Sequence, residues 1–331
     1  MSSCFSAFSF RLLLSIVISF LLSFLLEPVA VGRASAAERV PMDFIVVMQA
    51  GCSERCPRWI SAEGDIEPET PARLRKLLKS LGKQKLPIVL TSNGGDLEAA
   101  YALGRLIRKN KLDVAVGTTR LTGCIEPLVP RCKTSRVEDG VPVGRSFVDG
   151  GYCASACPMM LAGGVRKFAP LWDALGVHQV TTTTTQYEVQ YDIQYKMVKG
   201  KKKVISRKEV GRKYLGTKTS TKLSKRNTAN LAAYLKEMGV DRKLIDLVES
   251  ASPDDIYLIH ADEAIPLGLI TAGLAKNEMP IDALCSGDLS KSGRCGVTPD
   301  EPLPFVPPIP VAKPVPAVGS PAELTAKLQG G

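Results

Sequence analysis

Histidine is nearly missing from this chain: its 331 residues hold only His178 and His260, and no two cysteines stand at Cys-x-x-Cys spacing. A zinc site built from nitrogen and sulfur ligands has little to draw on, so neither a metal nor any other cofactor is expected. Acidic residues are scarce in one stretch. Lys196 to Arg226 carries thirteen Lys and Arg against the single acid Glu209, a local charge of +12, while the whole chain is +10 and the remainder therefore −2. The basicity belongs to one segment, which excludes reading the whole protein as a polyanion binder, and no specific nucleic acid is expected. Disorder is excluded as well, because an apolar content of 45% over this length supplies one good-sized core and would allow a second domain.

One long apolar run is present, Leu12 to Leu26. It follows Arg11 and leads to Ala34-Ser35-Ala36, the small-residue pattern that signal peptidase cleaves. Residues 1–36 are read as a secretion signal and the mature chain as starting near Ala37 in a periplasmic compartment. An uncleaved membrane anchor is the alternative, and it requires Glu27 and Pro28 to be tolerated within the span. Removal of the signal takes Cys4 with it and leaves eight cysteines in close pairs: Cys52 and Cys56, Cys124 and Cys132, Cys153 and Cys157, Cys285 and Cys295. An oxidising compartment accounts for that usage. Eight cysteines allow 105 pairings, and pairing of nearest neighbours is the expectation, firmest for Cys285 with Cys295.

Strand and helix signals alternate through the centre. Phe44–Ala50 and Cys56–Gly64 read as strands, and Thr70-Pro71 as an N-cap and first-turn proline of a helix that Gly82 closes. Leu86–Thr91 is a buried strand running into Ser92-Asn93-Gly94-Gly95 and a helix over Leu97–Lys109. Val114–Gly117 reads as another strand and Thr118–Phe147 as an irregular excursion. Beyond it come a helix start at Ser155–Ala162, strands at Arg166–Phe168 and Ala174–Val180, helices at Asn227–Met238 and Arg242–Val248, and a closing segment Ile256–Ile270. This is an α/β domain with a mainly parallel sheet. Inserted in it, at about residues 181–226, is a basic β-hairpin with Tyr187, Val189, Tyr191, Ile193 and Tyr195 alternating and a turn at Lys199-Gly200-Lys201. The domain spans residues 37–298, and residues 299–331 form a Pro-rich flexible tail.

Four segments in this order resemble the ClpP/crotonase-like superfamily, and the proteolytic subunit of Clp protease in particular. They are Ser92-Asn93-Gly94-Gly95-Asp96 at a strand end, Cys153-Ala154-Ser155-Ala156-Cys157 opening a helix, Gly176-Val177-His178-Gln179 ending a strand, and Asp262-Glu263-Ala264 with Gly268-Leu269-Ile270 as closing helix and strand. The resemblance implies a serine hydrolase acting on peptide or other acyl substrates. Ser155 is then the nucleophile, His178 its base, Gly94 and Ala156 the oxyanion donors, and an acid near the closing helix the third member, Asp255 or its neighbour Asp254; a dyad without an acid is the alternative. Asn93 stands where the protease often has proline, and both residues suit a turn. A serine at a helix start also lies beside unpaired backbone N–H groups, which favours an oxyanion on elementary grounds.

The family implies a homo-oligomer, yet the segment after the catalytic His, which joins two rings in Clp protease, is replaced here by the hairpin. Export removes the cytosolic unfoldase as a partner. The hairpin reads either as a solvated edge guarded by lysines or as a contact to an anionic surface through Lys196–Arg226. A catalytically inactive domain that binds an extended peptide or small acyl ligand is the competing function.

Overall fold

The computed structural model describes residues 40–53, 56–124, 132, 135–286 and 295. The apolar run Leu12–Leu26, the cleavage site before Ala37 and the Pro-rich tail lie outside the described residues. Among those that are described, no helix is long and apolar enough to cross a membrane.

The main sheet runs β14 (Ala272–Leu274), β9 (Lys167–Pro170), β4 (Val114–Val116), β3 (Ile88–Thr91), β2 (Arg58–Glu63), β1 (Asp43–Gln49), β7 (Val141–Phe147), β5 (Thr118–Leu121), with β6 (Val137–Glu138) paired to β7. Its centre, β2-β3-β4-β9-β14, is parallel throughout. Antiparallel pairs lie at β1-β2 and at the β5-β7 edge. The α/β class with a mainly parallel sheet is thus the fold observed. Thr118–Phe147, expected as an irregular excursion, returns to the sheet as β5 and β7, and β7 pairs in parallel with β1.

Period-two side-chain alternation divides these strands between two cores. Ile88 and Leu90 of β3, Val114 and Val116 of β4, and Phe44 and Val46 of β1 face the larger cluster. Val89, Ala115 and Val47, one residue out of phase, face the smaller one with Trp59. Burial on both faces is why these strands read as unbroken apolar runs.

Helix α1 (Thr70–Ser80) buries Leu74 and Leu77, and Gly82 follows it at φ 58°. Its N-cap is Glu69 and not Thr70, whose hydroxyl accepts instead from the Glu67 N–H at 2.8 Å. Helix α2 (Leu97–Asn110) is capped by Asp96, which accepts from Ala99 N–H at 2.7 Å. Helix α3 (Cys157–Ala162) crosses α2 where Gly163 meets the backbone of Gly104, and a Cβ on either glycine would overlap its neighbour. Tyr234, on α4 (Lys225–Met238), locks that crossing: it stacks on Tyr101 at 4.4 Å and donates to the Met159 carbonyl at 2.5 Å. After α5 (Leu244–Ser250) the chain forms β13 (Tyr257–Ile259) and α6 (Ala261–Ala264). The expected closing strand Gly268-Leu269-Ile270 is a turn with Leu269 and Ile270 buried, and the strand itself comes later, as β14. A last helix, α7 (Pro280–Cys285), packs Ile281 and Leu284 into the smaller core.

A second sheet holds β8 (Cys153–Ala154) and β13 on either side of β10 (Leu175–Val177). The third is the hairpin β11 (Thr182–Val198) with β12 (Lys201–Ser220). Its register shifts at Gln186/Tyr187, Gln190/Tyr191 and Gln194/Tyr195. Each Gln-Tyr step of β11 therefore faces one extra residue of β12, in turn Leu215, Val210 and Ile205, so four residues of one strand oppose five of the other. Bulges at that interval impose a strong twist on the ribbon.

Candidate active site

Three parallel strand ends meet. The segment after β3 bridges to β8 through Ser92 and Cys153: Ser92 N–H donates to the Tyr152 carbonyl, and Ala154 N–H to the Ser92 carbonyl, each at 3.0 Å. Strand β8 pairs in parallel with β10, Gly176 opposite Ala154. The carboxyl ends of β3, β8 and β10 thus lie together, on the side where parallel α/β sheets bind ligands. Gly94-Gly95, Ser155 and His178 follow those three ends.

Ser155 precedes α3 by two residues and is not in its first turn as the sequence reading had it; the N-cap is Ala156. The serine has φ 60°, the left-handed region that costs a non-glycine residue about 1–3 kcal/mol. Its surroundings fix it there. Ser155 N–H donates to the Gly176 carbonyl at 2.9 Å, and the buried Cys153–Cys157 disulfide closes the turn across it with Cα atoms 5.1 Å apart. Gly94 presses from the other side. A Cβ on Gly94 would lie 2.7 Å from Ser155 Cβ, 2.6 Å from the Ala154 oxygen and 2.7 Å from the Ala156 nitrogen, at φ +99°.

Two backbone N–H groups beside the serine, those of Ala156 and Gly95, have no hydrogen-bond partner among the described residues. Gly94, named as a donor from the sequence, gives its own N–H to Ser92 Oγ at 3.0 Å, and that hydroxyl donates on to the Gly64 carbonyl at 2.6 Å. Gly94 is therefore the contact that lets the two backbones approach, and the Gly95 N–H is the one this turn leaves unpaired among the described residues. Tyr152 lies alongside, its phenol pushed up first by burial and then by the charge of Asp65, with a hydrogen bond from Asn93 opposing.

His178 is half-buried, and its Nδ1 lies 2.9 Å from the Gln179 carbonyl oxygen. A carbonyl only accepts, so Nδ1 carries the proton and the Nε2 lone pair is left for a base. No hydrogen bond joins Ser155 to His178 among the described residues; such bonds are often long in apo sites and tighten on binding. No hydrogen bond joins Asp255 to the histidine among the described residues. Its Oδ1 accepts from Ile256 N–H at 2.8 Å on an exposed turn, and Asp254 makes no bond to His178 either. The carbonyl of Gln179 occupies the position expected of the acid. Nothing in the sequence marks a backbone carbonyl for that role.

His260 is excluded as the base, because it sits beyond the opposite end of β10, 3.0 Å from Asp173 Oδ1. Cysteine pairing follows the nearest-neighbour expectation in all four cases: Cys52–Cys56, Cys124–Cys132, Cys153–Cys157 and Cys285–Cys295.

No family model matches this chain, and no curated protein matches it. Similar solved structures exist. The 1510-N membrane-bound stomatin-specific protease, in a mutant form, is 13% identical over 63% of this chain and 75% of its own, with a TM-score of 0.33. ClpP1 from Listeria monocytogenes is 15% identical over 66% of this chain and 90% of its own, at 0.34. At such scores the likeness carries no argument.

Proposed function

We propose that the chain is an exported serine hydrolase acting on peptide or other acyl bonds. The observation that carries this is the left-handed Ser155, held at the joint end of three parallel strands between two unpaired N–H groups and the strand that carries His178. In the reaction Ser155 Oγ adds to the substrate carbonyl while His178 Nε2 takes its proton. The resulting oxyanion is met by Ala156 N–H and a donor of the Gly94-Gly95 turn, and the imidazolium returns the proton to the leaving group. Water then repeats the sequence on the acyl-enzyme. The Gln179 carbonyl orients the imidazole through Nδ1 but supplies no negative charge, which makes the site a dyad.

Export is part of the reading. Four disulfides persist in an oxidising compartment, and residues 1–36 have the composition of a leader. No cytosolic unfoldase serves such a protein, so short or unfolded chains are the substrates. A second reading, an inactive domain that binds an extended peptide, is favoured by the missing Ser155–His178 bond and the missing carboxylate on His178.

A fluorophosphonate probe and an activated ester, applied to oxidised protein, separate the two. Labelling and turnover that vanish together in Ser155→Ala and in His178→Ala, with Asp255→Asn within about twofold of wild type, support the dyad. Folded wild type that neither labels nor turns over removes the hydrolase reading.

A further inference from the structure

The hairpin β11-β12 serves no part of the site and is exposed along both faces. Seventeen residues of β11 at about 3.4 Å each make an arm of roughly 55 Å. Its end carries five lysines and no acid, whereas the shaft sets Glu188, Asp192 and Glu209 among its basic residues and exposes Val210 and Leu215 as well. Lys196, Lys199, Lys201, Lys202 and Lys203 crowd around the turn, and among them Met197 (61% exposed), Val198, Val204 and Ile205 (60%) face solvent. The turn itself has positive φ at Lys199 (50°) and Gly200 (76°), the pattern of a type I′ hairpin, which favours Asn at the first position. A lysine there keeps its charge at a position whose backbone prefers another residue.

Aliphatic side chains ringed by lysines at the tip of a projecting arm match a surface with a negative outer layer and an apolar interior. We infer that the arm tip, Lys196 to Ile205, docks on anionic lipid bilayers, the lysines meeting headgroup phosphates while Met197, Val198, Val204 and Ile205 enter below them. Single-stranded nucleic acid shares the charge requirement but needs open aromatic faces for its bases. Three of the four tyrosines of the arm have a face covered by a cation, Arg212, Arg207 and Lys202 lying over the rings of Tyr187, Tyr191 and Tyr195 at 5.2, 3.7 and 5.5 Å, and the fourth, Tyr214, stands edge-on to Tyr187 at 5.9 Å. Tip residues that are aliphatic gain from an apolar phase, which a polyanion in water does not provide. The proposal is independent of whether Ser155 is active.

Flotation of the full chain with phosphatidylglycerol/phosphatidylcholine vesicles, against phosphatidylcholine alone, tests it. Preference for the anionic vesicles, weakening as salt rises, is expected. Replacing Lys199, Lys201, Lys202 and Lys203 with Gln should lower partitioning about fivefold per residue, several-hundredfold together. Val204→Ser with Ile205→Ser should lower it about tenfold or more while leaving the salt dependence in place. Met197→Trp reports insertion directly, through a blue shift of its emission that anionic vesicles produce and phosphatidylcholine does not. Equal partitioning to both vesicle types, partitioning unchanged by the four Gln substitutions, or no blue shift overturns the inference. So does an oligonucleotide bound more tightly than vesicles and lost with the same four lysines, since nucleic acid would then be the partner.

Discussion

Replacing Gly94 with alanine isolates the contact on which the site depends. The added methyl would meet three atoms of the Ser155 turn at 2.6–2.7 Å, two of them backbone, so no flexible side chain can yield. It would also carry an L residue at φ +99°. Backbone strain of this kind costs about 1–3 kcal/mol, and forcing an extra methyl into packed surroundings about 1–3 kcal/mol more, for a total of roughly 2–6 kcal/mol. Gly82→Ala is the internal control, because Gly82 also has positive φ (+58°) but a Cβ there meets nothing within 4 Å; it should lose only the backbone part, about 1 kcal/mol. Urea unfolding of the oxidised proteins gives both numbers. In activity the two should diverge further: Gly82→Ala labels with the serine probe like wild type, whereas Gly94→Ala, by moving the serine turn by as little as 1 Å, should label about a hundredfold more slowly. Equal stability losses in the two variants, or normal labelling in Gly94→Ala, would refute the claim that Gly94 sets the position of Ser155.

Ser155→Gly should raise stability by up to about 1 kcal/mol in urea unfolding, because glycine adopts φ 60° without strain, while abolishing labelling; a destabilised variant would mean that the hydroxyl or Cβ supports the fold. Lys167 is 5% exposed and donates to the Gly268 carbonyl at 2.5 Å, and burial first, then the charge of Arg108, brings its pKa down to about 8. The unfolded chain therefore binds more protons between pH 8 and 10.5, so stability should climb with pH from about 8, by up to about 3 kcal/mol in full, and be level below that. Lys167→Met should remove the slope measured between pH 8 and 10, a range that stops short of the buried phenols of Tyr101 and Tyr234, which oppose it at higher pH. Replacing residues 182–220 by a short Gly-Ser turn should leave a cooperative thermal transition, since the hairpin pairs only with itself; loss of that transition would make the arm a structural element.

Much of the fold was legible because it is written in local patterns. Apolar runs such as Ile88–Thr91 mark strands buried on both faces, Asp96 marks a helix start, and Lys199-Gly200 marks a hairpin turn, each through side-chain period or backbone preference acting within a few residues. The four cysteine pairs were legible for the same reason: short separations leave little choice of partner. Thr118–Phe147 was not, because β5 is a four-residue edge strand and β7, interrupted by Pro142 and Gly144, is placed by what it pairs with, β1 on one side and β5 on the other. In the candidate site the sequence placed Ser155, Ala156 and His178 in their segments but misjudged how each is held. Ser155 was expected at a helix start, yet it precedes the helix and its left-handed φ is imposed by Gly176, Gly94 and the Cys153–Cys157 bridge, and a serine carries no local sign of that conformation. Asp255 fitted by spacing alone, and that its carboxylate accepts from its own neighbour's N–H, with no bond to His178, was seen only in the folded turn. By itself the sequence determined the elements, the residue types of a serine hydrolase site and the separateness of the basic arm. Only the tertiary structure decided that the ends of β3, β8 and β10 coincide, because strand order and register join Ser92 to Cys153 far along the chain; it also decided that Gly95 and not Gly94 has the unpaired N–H and that a carbonyl holds His178, because those contacts, though local, depend on backbone torsions that no residue type encodes.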